Sequence, residues 1–437
     1  MGAGGLSKPV LVIGGGIAGI QASLDLADQG IKVYLVEKLP SIGGKMARLD
    51  KTFPTLDCAS CILTPKMVSV ARHPNIELLT YSEVVEVKGS AGDFNVKVLK
   101  KPRYVDEDKC IGCGECITKC PSKVPDEFNM GMSQRKAIYF LFPQAVPLKA
   151  TIDREHCFYF TKNICRVCEK FCPTKAINFE QKPETLELNV ASIIIATGYE
   201  LMDPRIAPTY GYGKYSNVYA SLEFERLVSS TGPTGGEIMR RSDNKHPRSI
   251  AFIQCVCSRD VKINPNCSAF CCMASVKHAI LAKEHLPEVD CTIFYMDLRA
   301  FGKGYQEFYN RAMKEFGIKF IRAKPAKIEE DSETKDLIIT YEDTFTGVKK
   351  TMKTEMVVLA VGIKPVYPEA LPLTIGEDGY IRLKNPSIDP VATTIDGVYV
   401  VGVAEGAKDI PDSVIQAGSA AIKASILAGG VIYERST

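Results

Sequence analysis

The beginning of the chain has apolar and polar positions in the order expected for a strand, a helix and a second strand. Val10–Ile13 is a short, wholly apolar run, which is typical of a buried parallel strand. A helix is predicted from about Ile17 to Gly30, and residues 31–36 predict the next strand. This order predicts a βαβ unit and an α/β fold.

Later apolar runs predict the strands of a larger architecture. Residues 76–85 and 94–98 alternate in polarity, as antiparallel strands do, and residues 186–196 predict one buried strand. Arg248–Gln254 predicts the first strand of a second dinucleotide-binding unit, followed by a helix that ends at about His285. Two further elements are predicted, a buried strand over 356–362 and a helix over 413–427.

A glycine triplet separates the first strand from the first helix. Gly14 would allow the tight turn, Gly16 would let the backbone approach a pyrophosphate, and Gly19 would let helix and strand pack closely. Glu37, at the end of the second strand, is placed to accept a hydrogen bond from a ribose hydroxyl. Strand, triplet, helix and acid in register favour a dinucleotide site over an ordinary glycine turn.

Other residues specify which dinucleotide is expected. Residues 43–45 resemble the additional pyrophosphate contact of FAD enzymes, which favours FAD over NAD. Residues 396–405 resemble a second FAD motif, but Val403 stands where an Asp usually follows Gly402, so Asp409 is the predicted substitute. The predicted cofactor-binding residues are Gly14, Gly16, Gly19, Glu37, Lys38, Gly44, Lys45, Thr197, Gly198, Gly402 and Asp409.

Two cysteine runs, each closed by Cys-Pro, lie between residues 110 and 173. The first is the C-x2-C-x2-C-x3-C-P run that binds a four-iron, four-sulfur cluster, and its fourth Cys serves the other cluster in two-cluster ferredoxins. This pattern favours clusters over zinc or disulfides. The predicted ligands are Cys110, Cys113, Cys116 and Cys172 for one cluster, and Cys157, Cys165, Cys168 and Cys120 for the second.

Cysteines also follow the first strand of the second unit, where an NAD(P)H site would need glycines. Cys255, Cys267, Cys271 and Cys272 are predicted to bind a third cluster of unusual spacing, and the alternative is a group of buried free thiols. Cys257 and Cys291 are predicted to stay outside this set. The missing glycines indicate that the nicotinamide site is lost.

The pair Cys58 and Cys61 has no further ligands nearby in the sequence. Three interpretations stay open for this C-x2-C pair, namely a redox dithiol, part of a site near the flavin, and two half-buried thiols.

Composition narrows the class of protein. The chain has 437 residues, of which 46% are hydrophobic and 24% charged, and its net charge of +3 does not indicate a nucleic-acid-binding surface. No apolar run is long enough for a membrane-spanning helix, and residues 1–9 have no secretory signal pattern. Sixteen Cys without such a signal favour metal clusters over disulfides, and a cytoplasmic location is expected.

These elements predict a two-dinucleotide-domain flavoprotein, similar in fold to thioredoxin reductase, with an inserted ferredoxin domain. The expected domains are the FAD-binding domain over 1–100 and 183–245, a two-cluster ferredoxin domain over 101–182, a second Rossmann-like domain over 246–360, and a return to the FAD domain over 361–437.

With these motifs, the chain resembles the HdrA family, a group of heterodisulfide reductase subunits, over nearly its whole length. The resemblance is carried by residues 14–22, 57–67, both ferredoxin runs, the Cys255 to Cys272 set and residues 408–412. Methanogen-type members have an N-terminal and a C-terminal domain that we do not find here. The shorter form resembles the QmoA members, which belong to the quinone-interacting membrane-bound oxidoreductase of sulfate reducers.

The resemblance implies an oxidoreductase subunit with FAD and four-iron clusters that passes electrons between menaquinone and adenylylsulfate reductase, with bifurcation at the flavin as an option. Implied partners are a second flavoprotein, a membrane quinone-reactive subunit that would hold the chain at the inner membrane face, and adenylylsulfate reductase or ferredoxin. The alternatives are a soluble heterodisulfide reductase subunit, an NAD(P)H-dependent oxidoreductase, and a cluster-bearing scaffold with a vestigial flavin site.

Overall fold

The computed structural model describes residues 7–429. The helices are α1 Ile17–Ala27, α2 Ala59–Arg72, α3 Glu115–Thr118, α4 Phe158–Lys162, α5 Val167–Phe171, α6 Ser221–Val228, α7 Cys271–His285, α8 Tyr305–Lys314 and α9 Ile410–Leu427. The strands are β1 Val10–Ile13, β2 Val33–Glu37, β3 Ile76–Thr80, β4 Ser82–Ser90, β5 Asp93–Lys100, β6 Val124–Pro125, β7 Gln134–Arg135, β8 Ile138–Tyr139, β9 Thr151–Ile152, β10 Glu184–Val190, β11 Ser192–Ile195, β12 Tyr199–Leu201, β13 Val218–Ala220, β14 Ser249–Val256, β15 Asp290–Tyr295, β16 Lys319–Arg322, β17 Lys327–Glu330, β18 Leu337–Glu342, β19 Lys349–Thr354, β20 Met356–Val361, β21 Ile363–Pro365, β22 Leu383–Asn385, β23 Asp389–Thr393 and β24 Val398–Val400.

The chain folds as two compact units. The first contains residues 1–47, 62–199 and 365–437, and the second contains residues 48–61 and 200–364. None of the helices between residues 7 and 429 is sufficiently long and apolar to cross a membrane.

The first unit is built on a sheet of order β22-β23-β24-β11-β1-β2-β3. β1 lies between β11 and β2 and pairs with both in parallel, and its four residues are buried because parallel strands are covered on both faces. α1 and α9 contact each other beside this sheet. The order strand, glycine turn, helix, strand matches the βαβ unit that the sequence predicts.

The cysteine-rich segment enters and leaves this unit at one place. β5 ends at Lys100, β10 begins at Glu184, and these two residues are direct partners in an antiparallel sheet of order β10-β5-β4. Residues 101–183 are therefore an insertion between two adjacent strand ends. Their core is a small cluster of aromatic, aliphatic and cysteine side chains around Tyr104, Ile138 and Phe179.

The second unit has a parallel sheet of order β13-β20-β14-β15-β16. β14 pairs with β20 on one side and with β15 on the other, and α7 follows it after a long loop. A smaller antiparallel sheet, β17-β18-β19, completes the unit. This is the second Rossmann-like unit that Arg248–Gln254 predicts.

Three predicted features differ from the structure. Residues 76–85 are two strands separated at Tyr81, whose φ is +55°, and β3 is parallel rather than antiparallel. Residues 186–196 are also two strands, β10 and β11, which belong to different sheets. In both places the apolar pattern is continuous across the break, so the pattern alone does not locate it.

The unit boundaries also differ from the predicted domain limits. Residues 183–245 were expected to continue the FAD domain, whereas residues from 200 onward belong to the second unit because β13 pairs with β20. Residues 48–61, expected in the FAD domain, also belong to the second unit, and the first unit resumes at 365 rather than 361. The C-terminal helix begins at Ile410 instead of 413.

Candidate functional site: a glycine cradle and three groups of cysteines

The glycine triplet forms an open cradle at the end of β1. Gly14 has a φ of +108°, and a Cβ on it would lie 2.4 Å from the carbonyl oxygen of Ala196. A Cβ on Gly19 would lie 1.9 Å from the carbonyl oxygen of Gly14, so helix and turn need glycine at this contact. A Cβ on Gly16, by contrast, would meet no described atom within 4 Å beyond its own neighbours. The space in front of Gly16, at the N-terminus of α1, is therefore open to an anionic ligand.

Glu37 ends β2 beside this cradle. Its carboxylate accepts hydrogen bonds from the backbone N–H groups of Gly15, at 2.7 Å, and Leu39, at 2.8 Å. Burial raises the pKa of Glu37, and these N–H donors oppose the rise. Each carboxylate oxygen keeps a further lone pair, so the group is still able to accept from a ribose hydroxyl.

The other residues predicted at the cofactor lie in turns of the same unit. Gly44 has a φ of +56°, and a Cβ on it would lie 2.9 Å from the Cα of Gly16. The Lys45 ammonium lies 6.0 Å from the centre of the Tyr199 ring. Thr197 donates to the carbonyl of Val366. Lys38 and Gly198 are located at the ends of β2 and β11, respectively.

The second FAD motif has a polar network that the sequence pattern did not indicate. The Gly402 N–H donates to the side-chain oxygen of Gln416 at 2.8 Å, and the Lys408 ammonium donates to the same oxygen at 2.9 Å. Lys408 also pairs with Glu405. Val403 is buried in this turn, and Asp409 caps α9 by accepting from the Asp412 N–H at 3.0 Å.

The first group of ferredoxin thiols surrounds Cys116. Burial raises the pKa of the Cys116 thiol to about 12, and repulsion from Cys110, Cys172 and Cys113 adds to the rise. Cys172 comes from the second run and therefore joins three thiols of the first run. A proton on so weak an acid is readily replaced only when a metal binds the sulfur, because metal ligation deprotonates thiols.

The second group surrounds Cys168. Burial raises the pKa of this thiol to about 12 as well, and Cys157, Cys116 and Cys120 follow as further causes. A cavity with roughly 360 Å³ of space not filled by atoms, partly open to solvent, is lined by Cys120, Cys157, Cys165 and Cys168. Four thiols around one cavity, with apolar residues as the rest of its wall, are a donor set that fits a four-iron cluster.

A single metal ion is a poorer fit to these groups. In residues 7–429 there is no set of three or more His, Cys, Asp or Glu side chains arranged to hold one ion. In a four-iron cluster each thiolate binds a different iron, so its ligands need not converge on one point.

A third group of thiols lies at the carboxyl end of β14. Burial raises the pKa of Cys255 to about 11, with repulsion from Cys272 and Cys267 as further causes. Cys271 donates to Cys272, which lowers the pKa of Cys272 to about 7. These four thiols are the predicted third set. Cys257 is near Asp203 and Asp260 instead, and Cys291 lies within β15.

The loop that holds this group has an unusual backbone. Cys255, Cys257, Arg259 and Ala269 all have φ between +53° and +60°. Residues with side chains disfavour this region by about 1–2 kcal/mol each, and such strain is concentrated at functional sites. Residues 255–270 also contain no glycine, which a dinucleotide-binding turn requires.

An arginine beside the third group was not indicated by the sequence. Arg259 forms an ion pair with Asp297, and its guanidinium also hydrogen-bonds the Cys255 sulfur, which opposes the rise in the Cys255 pKa. A cation at this distance favours thiolate over thiol and thus favours iron ligation.

A buried ionic cluster lies in the second unit between α6 and α7. Glu225 pairs with Lys277 and contacts the His278 Nε2 at 2.5 Å, and all three side chains are almost fully buried. Burial opposes ionisation of Glu225, but Lys277 and His278 lower its pKa to about 2. Lys277 also donates to the Lys51 carbonyl at 2.7 Å. No local sequence pattern indicates this contact, because about 50 residues separate its members.

The pair Cys58 and Cys61 forms a disulfide, with a Cα–Cα distance of 5.2 Å. Of the three interpretations left open by the sequence, two half-buried free thiols is therefore wrong.

Three protein families match parts of the chain. Residues 9–52 match the FAD dependent oxidoreductase family, residues 103–126 match the 4Fe-4S binding domain, and residues 277–421 match the pyridine nucleotide-disulphide oxidoreductase family. FAD-binding and four-iron-cluster-binding domains are thus both present, as predicted.

The curated relatives are HdrA proteins of heterodisulfide reductases. The chain is 53% identical to the HdrA iron-sulfur protein of the CoB–CoM heterodisulfide reductase of Methanocaldococcus jannaschii, over 96% of this chain and 64% of that protein. It is 51% identical to the HdrA protein of the H2:CoB-CoM heterodisulfide,ferredoxin reductase of Methanothermobacter thermautotrophicus, over 95% and 63%. An HdrA-like protein of Archaeoglobus profundus is 44% identical, over 97% and 67%. The chain thus spans a little under two thirds of the length of the first two relatives.

Solved structures show the fold. Thioredoxin reductase from T. acidophilum matches 96% of this chain and 98% of its own, with a TM-score of 0.53 and 15% identity. The enzyme from Lactococcus lactis matches 97% and 100%, with a TM-score of 0.53 and 17% identity. The predicted thioredoxin-reductase-like fold is confirmed.

Proposed function

Because the chain belongs to the HdrA family of heterodisulfide reductase subunits, we propose that it transfers electrons between FAD and four-iron clusters as one member of an oxidoreductase complex. The observation that carries this proposal is the presence, on one chain, of an open glycine cradle and three separate groups of four thiols. When bound, FAD exchanges an electron pair and four-iron clusters carry single electrons.

The first unit supplies the groups for FAD. Gly14 and Gly19 fix the turn, the space before Gly16 receives the pyrophosphate, and Glu37 accepts from a ribose hydroxyl. Lys38, Gly44, Lys45, Thr197, Gly198, Gly402 and Asp409 are the remaining proposed contacts. Asp409 already caps α9, so the network of Glu405, Lys408 and Gln416 is the other polar group available near Gly402.

The two ferredoxin clusters exchange their fourth ligands. Cys110, Cys113, Cys116 and Cys172 hold one, and Cys157, Cys165, Cys168 and Cys120 hold the other. Support comes from the neighbours of Cys116 and of Cys168, and from the cavity that the second set lines. The burial of Cys116 and Cys168 keeps water from these iron ligands.

The third cluster is held by Cys255, Cys267, Cys271 and Cys272, and it replaces an NAD(P)H site. Val256 and the thiols obstruct the turn where a pyrophosphate would approach, and residues 255–270 offer no glycine. Arg259 donates to Cys255 and stabilises the thiolate that iron requires.

Iron analysis tests this assignment. The anaerobically purified chain should contain about twelve irons, four for each of three clusters. The Cys255→Ser variant should lose about four of them, whereas Cys291→Ser, which changes a buried thiol outside the set, should lose none. About eight irons in the unmodified chain, or rapid flavin reduction by NADH, would contradict the proposal and favour an NAD(P)H-dependent oxidoreductase.

We also propose the finer role that the sequence resemblance implies. In it the chain passes electrons between the menaquinone pool and adenylylsulfate reductase, through a second flavoprotein and a membrane quinone-reactive subunit that hold it at the inner membrane face. Flavin-based bifurcation belongs to this finer role. The alternative is a soluble complex that acts on the CoB–CoM heterodisulfide with ferredoxin, which the names of the curated relatives favour.

Co-purification distinguishes these two roles. A tagged chain, isolated from its own cells without detergent and again with detergent, should bring down a quinone-reactive membrane subunit only in the second case if the quinone role is correct. Recovery of a soluble complex that reduces a heterodisulfide would instead establish the alternative. A chain that holds iron but no flavin would identify a scaffold with a vestigial flavin site.

A further inference from the structure

The disulfide between Cys58 and Cys61 is separate from the three groups of thiols described above. The two sulfurs belong to a C-x2-C sequence, the spacing at which a short helical turn brings two cysteines together, and their Cα atoms are 5.2 Å apart. Cys61 is exposed and Cys58 is half-buried. The bond is therefore formed by two neighbouring residues at the surface, where it closes almost no loop and adds little to stability.

We propose that Cys58 and Cys61 form a thiol–disulfide exchange site, which in its reduced form reduces accessible disulfides of small molecules. The pair lies where α2 begins, directly before and within the first turn. A short-range, exposed disulfide at a helix N-terminus has the position from which exchange is fast, because one sulfur is open to attack and the other leaves as a stabilised thiolate.

The exposed sulfur of Cys61 is the one that meets the substrate. Its thiolate attacks a substrate disulfide RS–SR, which breaks the S–S bond, forms a Cys61–S–SR mixed disulfide and releases one RS⁻. The Cys58 thiolate then attacks the Cys61 sulfur, re-forms the Cys58–Cys61 disulfide and releases the second RS⁻. Two electrons pass from the pair to the substrate, and a low-molecular-weight dithiol returns them by the reverse exchange.

Cys58 is suited to be the resolving and leaving thiolate. The Cys61 backbone N–H donates to the Cys58 sulfur at 3.2 Å, and the Ser60 hydroxyl lies 3.3 Å from it. Both groups, together with the positive end of the α2 dipole, stabilise negative charge on Cys58. A better-stabilised thiolate leaves faster and hence releases Cys61 to the substrate.

The helix is locally loosened at the residue that must move. Pro65 lies inside α2 and provides no N–H to the carbonyl of Cys61, four residues earlier. The first turn thus lacks one of its helical hydrogen bonds, so Cys61 is able to swing towards a substrate without unwinding the rest of α2.

A structural metal site is the main competing use of a C-x2-C pair. Such a site needs three or four ligands, yet in the described part of the chain no third His, Cys, Asp or Glu joins Cys58 and Cys61 in a metal-binding set. The pair is instead bonded to itself.

Glutathione disulfide is the probe that tests the exchange site. The anaerobic holo-chain is reduced with dithiothreitol, freed of reductant and mixed with glutathione disulfide. The unmodified chain should release two glutathione thiols per pair, above the release from a Cys58→Ser/Cys61→Ser double variant, and the pair should become resistant to alkylation. The double variant corrects for thiols elsewhere in the chain.

The single variants identify the order of attack. Cys58→Ser should retain one glutathionyl group, found by peptide mass analysis on Cys61, because the resolving thiolate is missing. Release equal to that of the double variant would overturn the proposal. A loss of iron in either single variant would overturn it as well, because the pair would then be part of a cluster.

Discussion

At the scale of single residues, the site is defined by positions where a side chain is excluded and positions where a charge is buried. Gly16 leaves open space at the end of β1, whereas Gly14 and Gly19 are required by close backbone contacts. Glu225 and Lys277, in contrast, place opposite charges inside the second unit. Substitutions at these two kinds of position should have different consequences, loss of a ligand in the first case and loss of stability in the second.

Gly16→Val should abolish FAD binding while the protein stays folded. Gly16 has an extended backbone that valine readily adopts, and its added side chain would project into the space assigned to the pyrophosphate. The flavin absorbance per chain after purification measures the effect. Gly418→Ala, in α9, is the matched control because its Cβ makes an ordinary contact of 3.4 Å with Asp25 and should leave flavin content unchanged. Full flavin occupancy in Gly16→Val would refute the placement.

Glu225→Gln should destabilise the chain by about 3–5 kcal/mol, because the Lys277 ammonium would remain buried without its counter-charge. The shift of the urea unfolding midpoint under anaerobic conditions measures this loss. Asp290→Asn removes the same charge from an exposed pair with Lys319 and should change the midpoint little. A second variant, Glu225→Gln with Lys277→Met, should recover part of the loss. Equal midpoints for Glu225→Gln and Asp290→Asn would contradict the role of this ionic cluster.

At the scale of elements, sequence patterns predicted what depends on neighbours in the chain. The first βαβ unit, the cysteine runs and α7 all follow from local spacing, and the structure has each of them. The breaks at Tyr81 and Ala191 were missed, because a continuous apolar run does not record which sheet each half joins. The start of α9 was misplaced by three residues, although Asp409 followed by Pro411 is a cap signal that could have located it. The Glu225 cluster had no such signal because its members are distant in sequence.

The exchange of ligands between the ferredoxin runs predicts an effect on the distant cluster. Cys120→Ala should damage the cluster held by Cys157, Cys165 and Cys168, because Cys120 lines their cavity even though its sequence neighbours bind the other cluster. Electron paramagnetic resonance of the reduced variant, compared with Cys172→Ala, distinguishes the two signals. Cys172→Ala should damage the opposite cluster. Loss of the same cluster in both variants would show that the ligands are not exchanged.

At the scale of the whole molecule, the account requires FAD and several clusters on one chain. The family matches place FAD-binding and four-iron-cluster-binding domains together, and the structure gathers the cysteines into three groups of four. The fold could be predicted from sequence because glycine and cysteine spacings are local. Arg259 and the Glu405–Lys408–Gln416 network could not, since each depends on a loop conformation that brings separate residues together.

A reductive titration of the anaerobic chain tests this central claim most directly. Dithionite is added in steps, and the electrons taken up per chain are counted from the visible absorbance, with electron paramagnetic resonance assigning the reduced centres. The account predicts about five electrons per chain, two for FAD and one for each of three clusters. An uptake of about two electrons, with no iron–sulfur signal, would contradict it, as would about three electrons with no flavin bleaching.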